Sequence, residues 1–381
     1  MNRKILYITG TRADYGLMRS VLFEMEKNPD IDLELAVTGM HLMEEFGMTV
    51  NDIEKDGFNF HRVNATFQED NKSSMVNFIG EFIKLLSQLV LKINPDIILL
   101  LGDRGEMLCG AIVGAYLSIP TAHIHGGEIT STVDEYARHA ITKLVNIHLP
   151  ATEKSAERII KMGENPDTVF VVGAPGLDYI LNEKLIDSKI ISTKYNLKLS
   201  EPIILLVQHP ITSKSKDAAQ QVRETLDALV ELKNQTVIIY PNADAGGRKI
   251  IELIKRYENY PFIHTYKNIP SIDYLSLMKI ASVIVGNSSS GIIEAPSFKL
   301  PAVNIGSRQE CRERASNIID VDHDKEEIKK AIIKAIYDIK FKEIIQNYEN
   351  PYGDGKTGKR VSDILSNIKL DNNLMDKKLN L

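Results

Sequence analysis

The chain has 381 residues, of which 43% are apolar and 25% are charged, and its formal net charge is −5. This length exceeds that of one ordinary domain, so two domains of roughly 150–200 residues are expected. The slightly acidic balance argues against a nucleic-acid binder, which usually has a basic face. No apolar run approaches the roughly 18 residues of a membrane span.

The start of the chain and its cysteines indicate a reduced compartment. Residues 1–4 lead directly into an apolar run, without the features of a signal peptide. Cys109 falls in a predicted helix and Cys311 in a predicted loop, so the pair provides neither a disulfide framework nor metal-ligand spacing. We therefore expect a cytoplasmic protein.

The first predicted strand ends in a turn that begins with glycine. Residues 4–9 form an apolar run of strand length, Gly10 follows, and residues 15–27 carry apolar side chains on one helical face. This opening suits an open α/β sheet, in which ligands bind beyond the carboxyl ends of the strands. Free N–H groups at the helix start and the guanidinium of Arg12 are suited to holding a phosphate. The turn lacks the glycine spacing of a dinucleotide fingerprint and of a P-loop.

Strands and helices alternate along almost the whole chain, which predicts βαβ crossovers and parallel sheets. The further predicted strands are 33–37, 96–101, 121–124, 148–151 and 169–172, then 202–207, 237–240, 262–265, 283–285 and 302–305. Residues 173–201 contain no clear strand, so a domain boundary is expected there. We predict the α/β class with two doubly wound Rossmann-like domains facing a cleft, the GT-B type. The predicted domains are residues 1–175 and 200–355, with a C-terminal segment 356–381 whose helix crosses back to the first domain.

Asp103 follows the apolar strand that ends at residue 101. A carboxylate at the end of a central parallel strand points toward the ligand-binding edge of the sheet. Arg104 beside it is placed to pair with this carboxylate or with a phosphate. The alternative is that Asp103 only caps the following helix.

The next strand runs into a dense cluster of titratable residues between positions 123 and 139. The members are His123, His125, Glu128, Asp134, Glu135, Arg138 and His139. The His-x-His pair suggests a metal site, because alternate strand residues share a face, but no second ligand cluster with metal spacing accompanies it. A general acid/base set is the better interpretation. We expect His123 to pack in the core and Asp134 or Glu135 to be placed to cap the helix that follows.

Two strand ends in the second half carry further candidates. His209 follows the strand 203–207 and precedes a proline, although a hydrogen-bonded loop histidine would look the same. The strand 283–285 runs into Gly-Asn-Ser-Ser-Ser-Gly and then a helix, a pattern typical of a phosphate-binding turn. Glu294, one to two turns into that helix, is placed to accept both hydroxyls of a ribose. A plain serine cap is the alternative for this turn.

Taken together, these segments resemble the UDP-N-acetylglucosamine 2-epimerase family, and specifically its hydrolysing branch. The matching motifs are residues 10–14, 102–104, 126–128, 134 with 138–143, 240–242 with 244, 286–289 with 294, and 306–309. They extend in the family's order from residue 4 to about residue 365.

The resemblance implies roles for individual residues. Asp103 and Asp134 match acidic residues implicated in the chemistry, and His209 matches the histidine of the second domain. The positions near the diphosphate are Arg12, Arg104, Ser288, Ser289 and Arg308. Glu294 matches the ribose-binding glutamate, and Asn242 and Tyr274 match positions that hold the nucleotide, Tyr274 against the uracil ring.

One position departs from the family pattern. Relatives commonly have a glutamate where this chain has His125. Either His125 or Glu128 is therefore expected to take over that acid/base duty, and the sequence does not choose between them.

The hydrolysing branch is indicated at two positions. Non-hydrolysing relatives follow the histidine of the second domain with Arg-Arg-Glu, whereas here His209 precedes Pro-Ile-Thr. They also carry Glu-Ala-Gly-Leu-Arg where this chain has His125-Gly-Gly-Glu-Ile.

The resemblance implies the reaction UDP-GlcNAc plus water to ManNAc plus UDP. UDP would leave by elimination to a 2-acetamidoglucal, and water would then add to the glycal. The expected partners are a UDP-sugar and a second copy of the chain in a homodimer, with no cofactor, metal, nucleic acid or membrane.

Three alternatives remain open from the sequence. The same reaction could act on UDP-2,4-diacetamido-2,4,6-trideoxyglucose, on the route to legionaminic acid, because the sequence does not show what contacts C4 and C6 of the sugar. A GT-B glycosyltransferase would use the same nucleotide site. A catalytically silent UDP-sugar sensor is a third, which the acid/base residues disfavour.

Overall fold

The computed structural model describes residues 2–66, 72–129, 134–182, 184–211, 217–241 and 246–378. The chain forms two compact units, the first from Met1–Leu181 and Tyr352–Leu381 and the second from Asn182–Pro351. The second unit therefore begins earlier than residue 200, because the helix Ser188–Lys194 belongs to it.

Both units are built from parallel strands connected by helices. The strands are β1 Arg3–Thr9, β2 Ile31–Val37, β3 Phe60–Arg62, β4 Ile97–Leu101, β5 Thr121–Ile124, β6 Ile147–Leu149, β7 Ile203–Val207, β8 Gln235–Ile239, β9 Ile263–Tyr266, β10 Val283–Gly286, β11 Ala302–Ile305 and β12 Ile318–Val321. The helices are α1 Arg12–Glu26, α2 Val50–Asp56, α3 Lys72–Ile93, α4 Gly105–Leu117, α5 Asp134–Leu144, α6 Glu153–Lys161, α7 Pro175–Asn182, α8 Ser188–Lys194, α9 Ala218–Leu232, α10 Gly247–Lys255, α11 Ser271–Ile280, α12 Ser290–Ile293, α13 Lys325–Tyr337, α14 Ile339–Gln346, α15 Thr357–Asn367 and α16 Asn372–Met375.

The first unit contains a six-stranded sheet in the order β3-β2-β1-β4-β5-β6. Every pairing in it is parallel. Strands covered by helices on both faces are apolar throughout, and all five residues of β4 are accordingly buried. The chain order reverses between β1 and β4, so the turns after these two strands flank the crevice where such sheets bind ligands.

Helices cover both faces of this first sheet. On one face α1 contributes Met18, Leu22 and Met25, whose spacing of three and four residues puts them on one side of the helix. Helix α15 packs against α1, and the Asp178 carboxylate accepts hydrogen bonds from the N–H groups of Thr357 and Gly358 at its start. These contacts attach the end of the chain to the first unit.

Helix α3 lies on the other face. Its side chains Phe78, Phe82, Leu86 and Val90, four residues apart, are buried in the core of the unit. Within the described residues, the segment Ser73–Ile93 of this helix is long and apolar enough to cross a membrane by length and composition alone, with a mean hydropathy of 1.3. A core helix of a soluble domain meets the same test.

The second unit repeats the topology of the first. Its sheet has the order β12-β11-β10-β7-β8-β9, again all parallel, with the reversal between β7 and β10. Helices α9, α10 and α13 contribute to its core. The prediction of an α/β protein with two doubly wound domains of the GT-B type is confirmed.

The predicted strands differ from the structure mainly at the edges of the sheets. The edge strands β3 and β12, three and four residues long, were not predicted. The expected strand 169–172 was wrong, because only Val169 forms a bridge, to His148.

Candidate functional site

The turn after β1 is fixed by a buried carboxylate. The Asp14 side chain accepts hydrogen bonds from the N–H groups of Gly10 and Thr11 at 3.2 and 2.8 Å, and the Thr11 hydroxyl accepts one from the Asp14 N–H. Burial raises the pKa of Asp14 to about 6, against the lowering effect of its hydrogen bonds to Thr9 and Thr11. Arg12 lies exposed at the first position of α1. The capping box thus presents the Arg12 side chain at the carboxyl edge of the sheet.

Glu106 connects this turn to the one after β4. Its carboxylate is 1% exposed and accepts two hydrogen bonds from the Arg104 guanidinium, at 3.2 and 3.3 Å. A Cβ on Gly10 would lie 2.5 Å from Glu106 Oε1, so a side chain at this position would displace the buried carboxylate. The charged end of Arg104 is therefore held beside the turn that carries Arg12.

Arg138 connects Asp103 to the turn after β5. This residue of α5 is 4% exposed, and its guanidinium donates to the Asp103 carboxylate and, at 2.8 Å, to the backbone carbonyl of Glu128. One buried cation thus holds two of the predicted acid/base residues on the same side of the first unit.

His125 and Glu128 form a pair within a tight turn. His125 Nδ1 lies 2.7 Å from Glu128 Oε1, and the His125 backbone has a left-handed φ of +65°. Gly127, with φ +75°, packs so closely that a Cβ would lie 2.2 Å from the Ser155 carbonyl oxygen, and Arg158 donates to the Gly127 carbonyl at 3.0 Å. The turn is therefore held by α6 beneath it.

The other members of the cluster are less central. His123 is fully buried with its Nε2 2.6 Å from the Gly102 carbonyl oxygen, and burial lowers its pKa to about 3. It is a neutral core residue that supports the Asp103 turn, as expected. His139 pairs with Glu135 at 3.3 Å. Asp134 begins α5, but its side chain lies outside the described residues.

In the second unit, His209 is clamped by an asparagine from the neighbouring strand end. Asn287 Oδ1 accepts from the His209 N–H at 2.7 Å, and Asn287 Nδ2 donates to the His209 carbonyl at 2.9 Å. Asn287 is 1% exposed. The clamp links the ends of β7 and β10, the two strands that flank the reversal.

The Ser/Gly turn after β10 leads into a shorter helix than expected. Helix α12 has only four residues, and Glu294 is its C-cap instead of lying one to two turns inside a longer helix. Pro296 is the second residue of the following 3₁₀ turn Ala295–Phe298, and its ring prevents a regular continuation of the α-helix. Ser288 and Ser289 lie half-buried at the start of α12, so hydroxyls and local N–H groups, with little help from a helix dipole, are available to an anion here.

Arg308 lies next to this turn. It belongs to the 3₁₀ turn Ser307–Gln309 after β11, and Arg308 Nη1 donates to the Asn287 carbonyl at 3.1 Å. Gln309 Nε2 donates to the same oxygen at 3.0 Å. Three adjacent strand ends thus bring His209, the serines and Arg308 together.

Glu294 and Tyr274 carry buried polar atoms. Among the described residues, neither Glu294 Oε2 nor Tyr274 Oη has a hydrogen-bond partner of acceptable geometry. Burial raises the pKa of both groups, and the Glu294 charge raises the pKa of Tyr274 further. Such unsatisfied oxygens are common where a ligand completes the hydrogen bonding. Asn242 lies outside the described residues.

The family model described as UDP-N-acetylglucosamine 2-epimerase matches residues 23–366. The chain belongs to the UDP-N-acetylglucosamine 2-epimerase family. The predicted family is confirmed.

Two relatives and one solved structure show where the chain stands in the family. It is 42% identical to the Legionella pneumophila protein named UDP-N,N'-diacetylbacillosamine 2-epimerase (hydrolyzing), over 99% of both chains. It is 36% identical to the UDP-N-acetylglucosamine 2-epimerase of Neisseria meningitidis serogroup B, over 87% of both. A crystal structure of a Neisseria meningitidis UDP-GlcNAc 2-epimerase bound to UDP-GlcNAc superimposes with a TM-score of 0.78 at 21% identity, covering 95% of this chain and 99% of that one, which shows the shared fold.

Within this member of the 2-epimerase family, the candidate residues form two groups. The first unit brings together Asp103, Arg104, His125 and Glu128, with Arg12 on the adjacent turn. The second brings together His209, Ser288, Ser289 and Arg308, with Glu294 and Tyr274 on neighbouring elements. The described residues contain no group of three or more His, Cys, Asp or Glu side chains arranged to hold a metal.

Three residues that organise these groups had no assigned role from the sequence: Glu106, Arg138 and Asn287. Arg138 and Asn287 fall inside the matched motifs, which marked them without indicating a function. Glu106 follows Asp103 by three residues at the start of a helix, where an acidic residue is common for a different reason, favourable interaction with the helix dipole.

Proposed function

We propose that this protein is a hydrolysing UDP-sugar 2-epimerase, which converts a UDP-linked 2-acetamido sugar and water into UDP and the free C2 epimer. The arrangement of Asp103, Arg138, Glu128 and His125 in one connected set, in a member of this family, is the observation that carries the proposal. The 42% identity to a relative named as hydrolysing supports the branch.

The proposed chemistry explains why such a set is needed. The C2 hydrogen of the sugar is not acidic, so its removal must accompany the departure of UDP from C1. The C2–H electron pair forms the C1=C2 bond of a 2-acetamidoglucal, and the C1–O pair leaves with the diphosphate. Water then adds to C1 while an acid delivers a proton to the opposite face of C2. Two proton-transfer groups in different positions are required.

The candidate residues supply these groups. Asp103, His125, Glu128, Asp134 and His209 form the proposed proton-transfer set. The leaving diphosphate is stabilised by Arg12, Arg104 and Arg308 and by the hydroxyls of Ser288 and Ser289. In this proposal Glu294 accepts the ribose hydroxyls, and Asn242 and Tyr274 hold the base.

The substitution of the sugar at C4 and C6 is the finer part of the proposal. N,N'-Diacetylbacillosamine is the 2,4-diacetamido-2,4,6-trideoxy sugar, and the 42% relative is named for it. We therefore place its UDP derivative first and UDP-GlcNAc second, the reverse of the order that the sequence suggested. The second candidate is favoured by the 36% identical relative named for UDP-GlcNAc.

We further propose that the protein is a cytoplasmic homodimer that associates through the outer faces of α3 and α4. Val76 and Leu91 on α3 and Tyr116 on α4 are all strongly exposed, and α3 packs on α4. Exposed apolar side chains on adjacent helices are typical of interfaces between copies of a chain. Light scattering should give the dimer mass for the wild type and the monomer mass for Leu91→Glu, and a monomeric wild type would refute this part.

Proton NMR in deuterated water tests the reaction. The purified protein is incubated separately with UDP-N,N'-diacetylbacillosamine and UDP-GlcNAc, without any acceptor. We expect free UDP and the C2 epimer of the sugar carrying deuterium at C2, with the diacetamido substrate turned over faster. Faster turnover of UDP-GlcNAc would reverse the substrate order. Binding of UDP without any change in either sugar would refute the epimerase and leave a transferase or a sensor.

A further inference from the structure

His125 has an unusual backbone conformation for a residue with a side chain. Its φ of +65° lies in the left-handed region, which glycine adopts readily and which costs other residues free energy. Such conformations persist where the surroundings impose them, often at functional sites. Here His125 directly follows β5 and precedes the closely packed Gly127 by two residues, so the chain is fixed on both sides of it.

The contact to Glu128 determines which nitrogen of the imidazole carries the proton. His125 Nδ1 lies 2.7 Å from Glu128 Oε1. The angle of this contact falls outside that of a regular hydrogen bond, but an Nδ1 lone pair this close to a carboxylate oxygen would be repelled, so the neutral ring carries its hydrogen on Nδ1 and its lone pair on Nε2. Within the described part of the chain, Nε2 makes no hydrogen bond, and the His125 side chain is 18% exposed, so this nitrogen is available to a substrate.

Glu128 is better placed to orient His125 than to react itself. Its side chain is 12% exposed, and one of its oxygens lies 2.7 Å from His125 Nδ1. Its backbone carbonyl is held by buried Arg138, and the preceding carbonyl by Arg158. A carboxylate that is anchored from its own backbone and directed at Nδ1 of a histidine fixes the orientation and tautomer of the ring, as in other carboxylate–histidine pairs.

We propose that His125 Nε2 is the base that removes the C2 proton and that Glu128 is a positioning residue acting through His125. The inference rests on the proposed epimerase function and assigns the duty that the sequence left open between the two residues. In the step, the C2 proton moves to Nε2, the C2–H pair forms the C1=C2 bond, and UDP leaves with the C1–O pair. Water later supplies hydroxide to C1 and a proton to the acid that protonates C2, and the imidazolium releases its proton to solvent.

The test uses His125→Gly, Glu128→Ala and the double variant. Glycine suits the left-handed backbone at position 125, so the first change should leave the fold intact and open a space of imidazole size. Circular dichroism and UDP binding check folding. His61 and Glu34 form a matched histidine–carboxylate pair at 2.9 Å on β3 and β2, so His61→Asn and Glu34→Ala serve as controls.

For His125→Gly we expect kcat to fall roughly 10²- to 10⁴-fold with KM little changed, and added imidazole to restore part of it. Glu128→Ala should lower kcat less, and adding it to His125→Gly should cause no further loss, because Glu128 acts only through the ring. The controls should retain wild-type rates.

Two results would overturn the assignment. One is a loss of kcat in the double variant equal to the product of the two single losses. The other is rescue of Glu128→Ala by formate without rescue of His125→Gly by imidazole. If His125→Gly does not fold, His125→Asn replaces it in the double-variant comparison, since asparagine also tolerates this conformation. An inactive wild type would instead refute the proposed function itself, which separates the two failures.

Discussion

The two units share one strand order but present different chemistry at the same place in the sheet. Around the reversal point of the first unit, the side chains are charged and paired with one another: Asp103 with Arg138, Arg104 with Glu106, and His125 with Glu128. Around that of the second, amides and hydroxyls dominate, led by Asn287, Ser288 and Gln309. The same scaffold therefore presents mainly paired charges in one unit and mainly amides and hydroxyls in the other, because the side chains at the strand ends differ.

The pairing of charges in the first unit has a consequence for its carboxylates. A buried guanidinium such as Arg138 keeps the Asp103 carboxylate in one position before any substrate arrives. Preorganised groups of this kind need little rearrangement during the reaction. The neutral groups of the second unit can instead hold an anion without competing with it, since they carry few charges that must first be displaced.

The largest effect is expected from neutralising Asp103 in the first unit. Asp103→Asn removes a charge from the proton-transfer set and weakens the contact to Arg138, so kcat should fall roughly 10²- to 10⁴-fold. The affinity for UDP should stay within about twofold of wild type, because Asp103 is not among the residues proposed to hold UDP. Steady-state kinetics and calorimetric UDP titration measure the two.

Asp363→Asn, an exposed carboxylate on α15 of the same unit, is the control and should behave as wild type. A loss of UDP affinity in Asp103→Asn as large as its loss of kcat would show that Asp103 acts in UDP binding and not mainly in proton transfer.

Acid should destabilise the first unit more than the second. Burial lowers the pKa of His41 to about 4, and its two ring nitrogens contact the hydroxyls of Thr9 and Thr49. The folded state therefore binds this proton less tightly than the unfolded chain, and stability is lost as pH falls from about 6.5 toward 4. Between pH 7.5 and 5 we expect His41→Asn to lose about 2 kcal/mol less stability than wild type does.

Urea titration at the two pH values measures this difference. The buried Cys109 of the first unit reports its unfolding through thiol labelling, in a Cys311→Ser background that removes the exposed thiol of the second. Equal pH dependence of wild type and His41→Asn would show that His41 does not contribute.

How far the sequence predicted these two regions depends on the range of the interactions involved. The strand ends and their chemistry-bearing residues followed from local patterns, since Asp103, His125, His209 and Ser288 each come just after an apolar run. The contacts that these residues make with distant partners could not be predicted from local patterns. Arg138 is 35 residues from Asp103, and Asn287 is 78 residues from His209, so these contacts exist only once the sheets have formed.

Local features also escaped prediction where two signals conflicted. The edge strands β3 and β12 are too short for a clear alternation of apolar and polar residues. Pro296 indicates an early end of α12, but the apolar residues before this proline suggested a longer helix. The left-handed His125 had no signal at all, because a non-glycine residue rarely adopts this conformation.

The clamp in the second unit should affect both stability and rate. Asn287→Ala leaves the His209 N–H and carbonyl without the partners that hold them, so the free energy of unfolding should fall by about 1–2 kcal/mol. If His209 takes part in the reaction, kcat should fall as well, while Asn287→Asp, which keeps the acceptor for the His209 N–H, should retain more activity than alanine. Identical losses in both variants would indicate that only packing is affected. Urea titration and steady-state kinetics provide the two quantities.

The smallest effect is expected at Glu294, where one substitution should change nucleotide affinity and protein stability in opposite directions. Burial raises the pKa of Glu294, and among the described residues its Oε2 has no hydrogen-bond partner. The ionised carboxylate therefore lowers the free energy of unfolding of the second unit. Because the pKa of Glu294 is higher in the folded state than in the unfolded chain, this loss of stability increases as pH rises through the folded-state pKa. Glu294→Gln should therefore stabilise the free protein at neutral pH while weakening UDP binding about tenfold, since a charged acceptor of the ribose hydroxyls is lost.

The wild type should prefer UDP to 2'-deoxy-UDP, and the variant should lose most of that preference. Calorimetric titrations with both nucleotides measure it, and an unchanged preference would mean that Glu294 does not contact the ribose and that its buried charge serves another purpose.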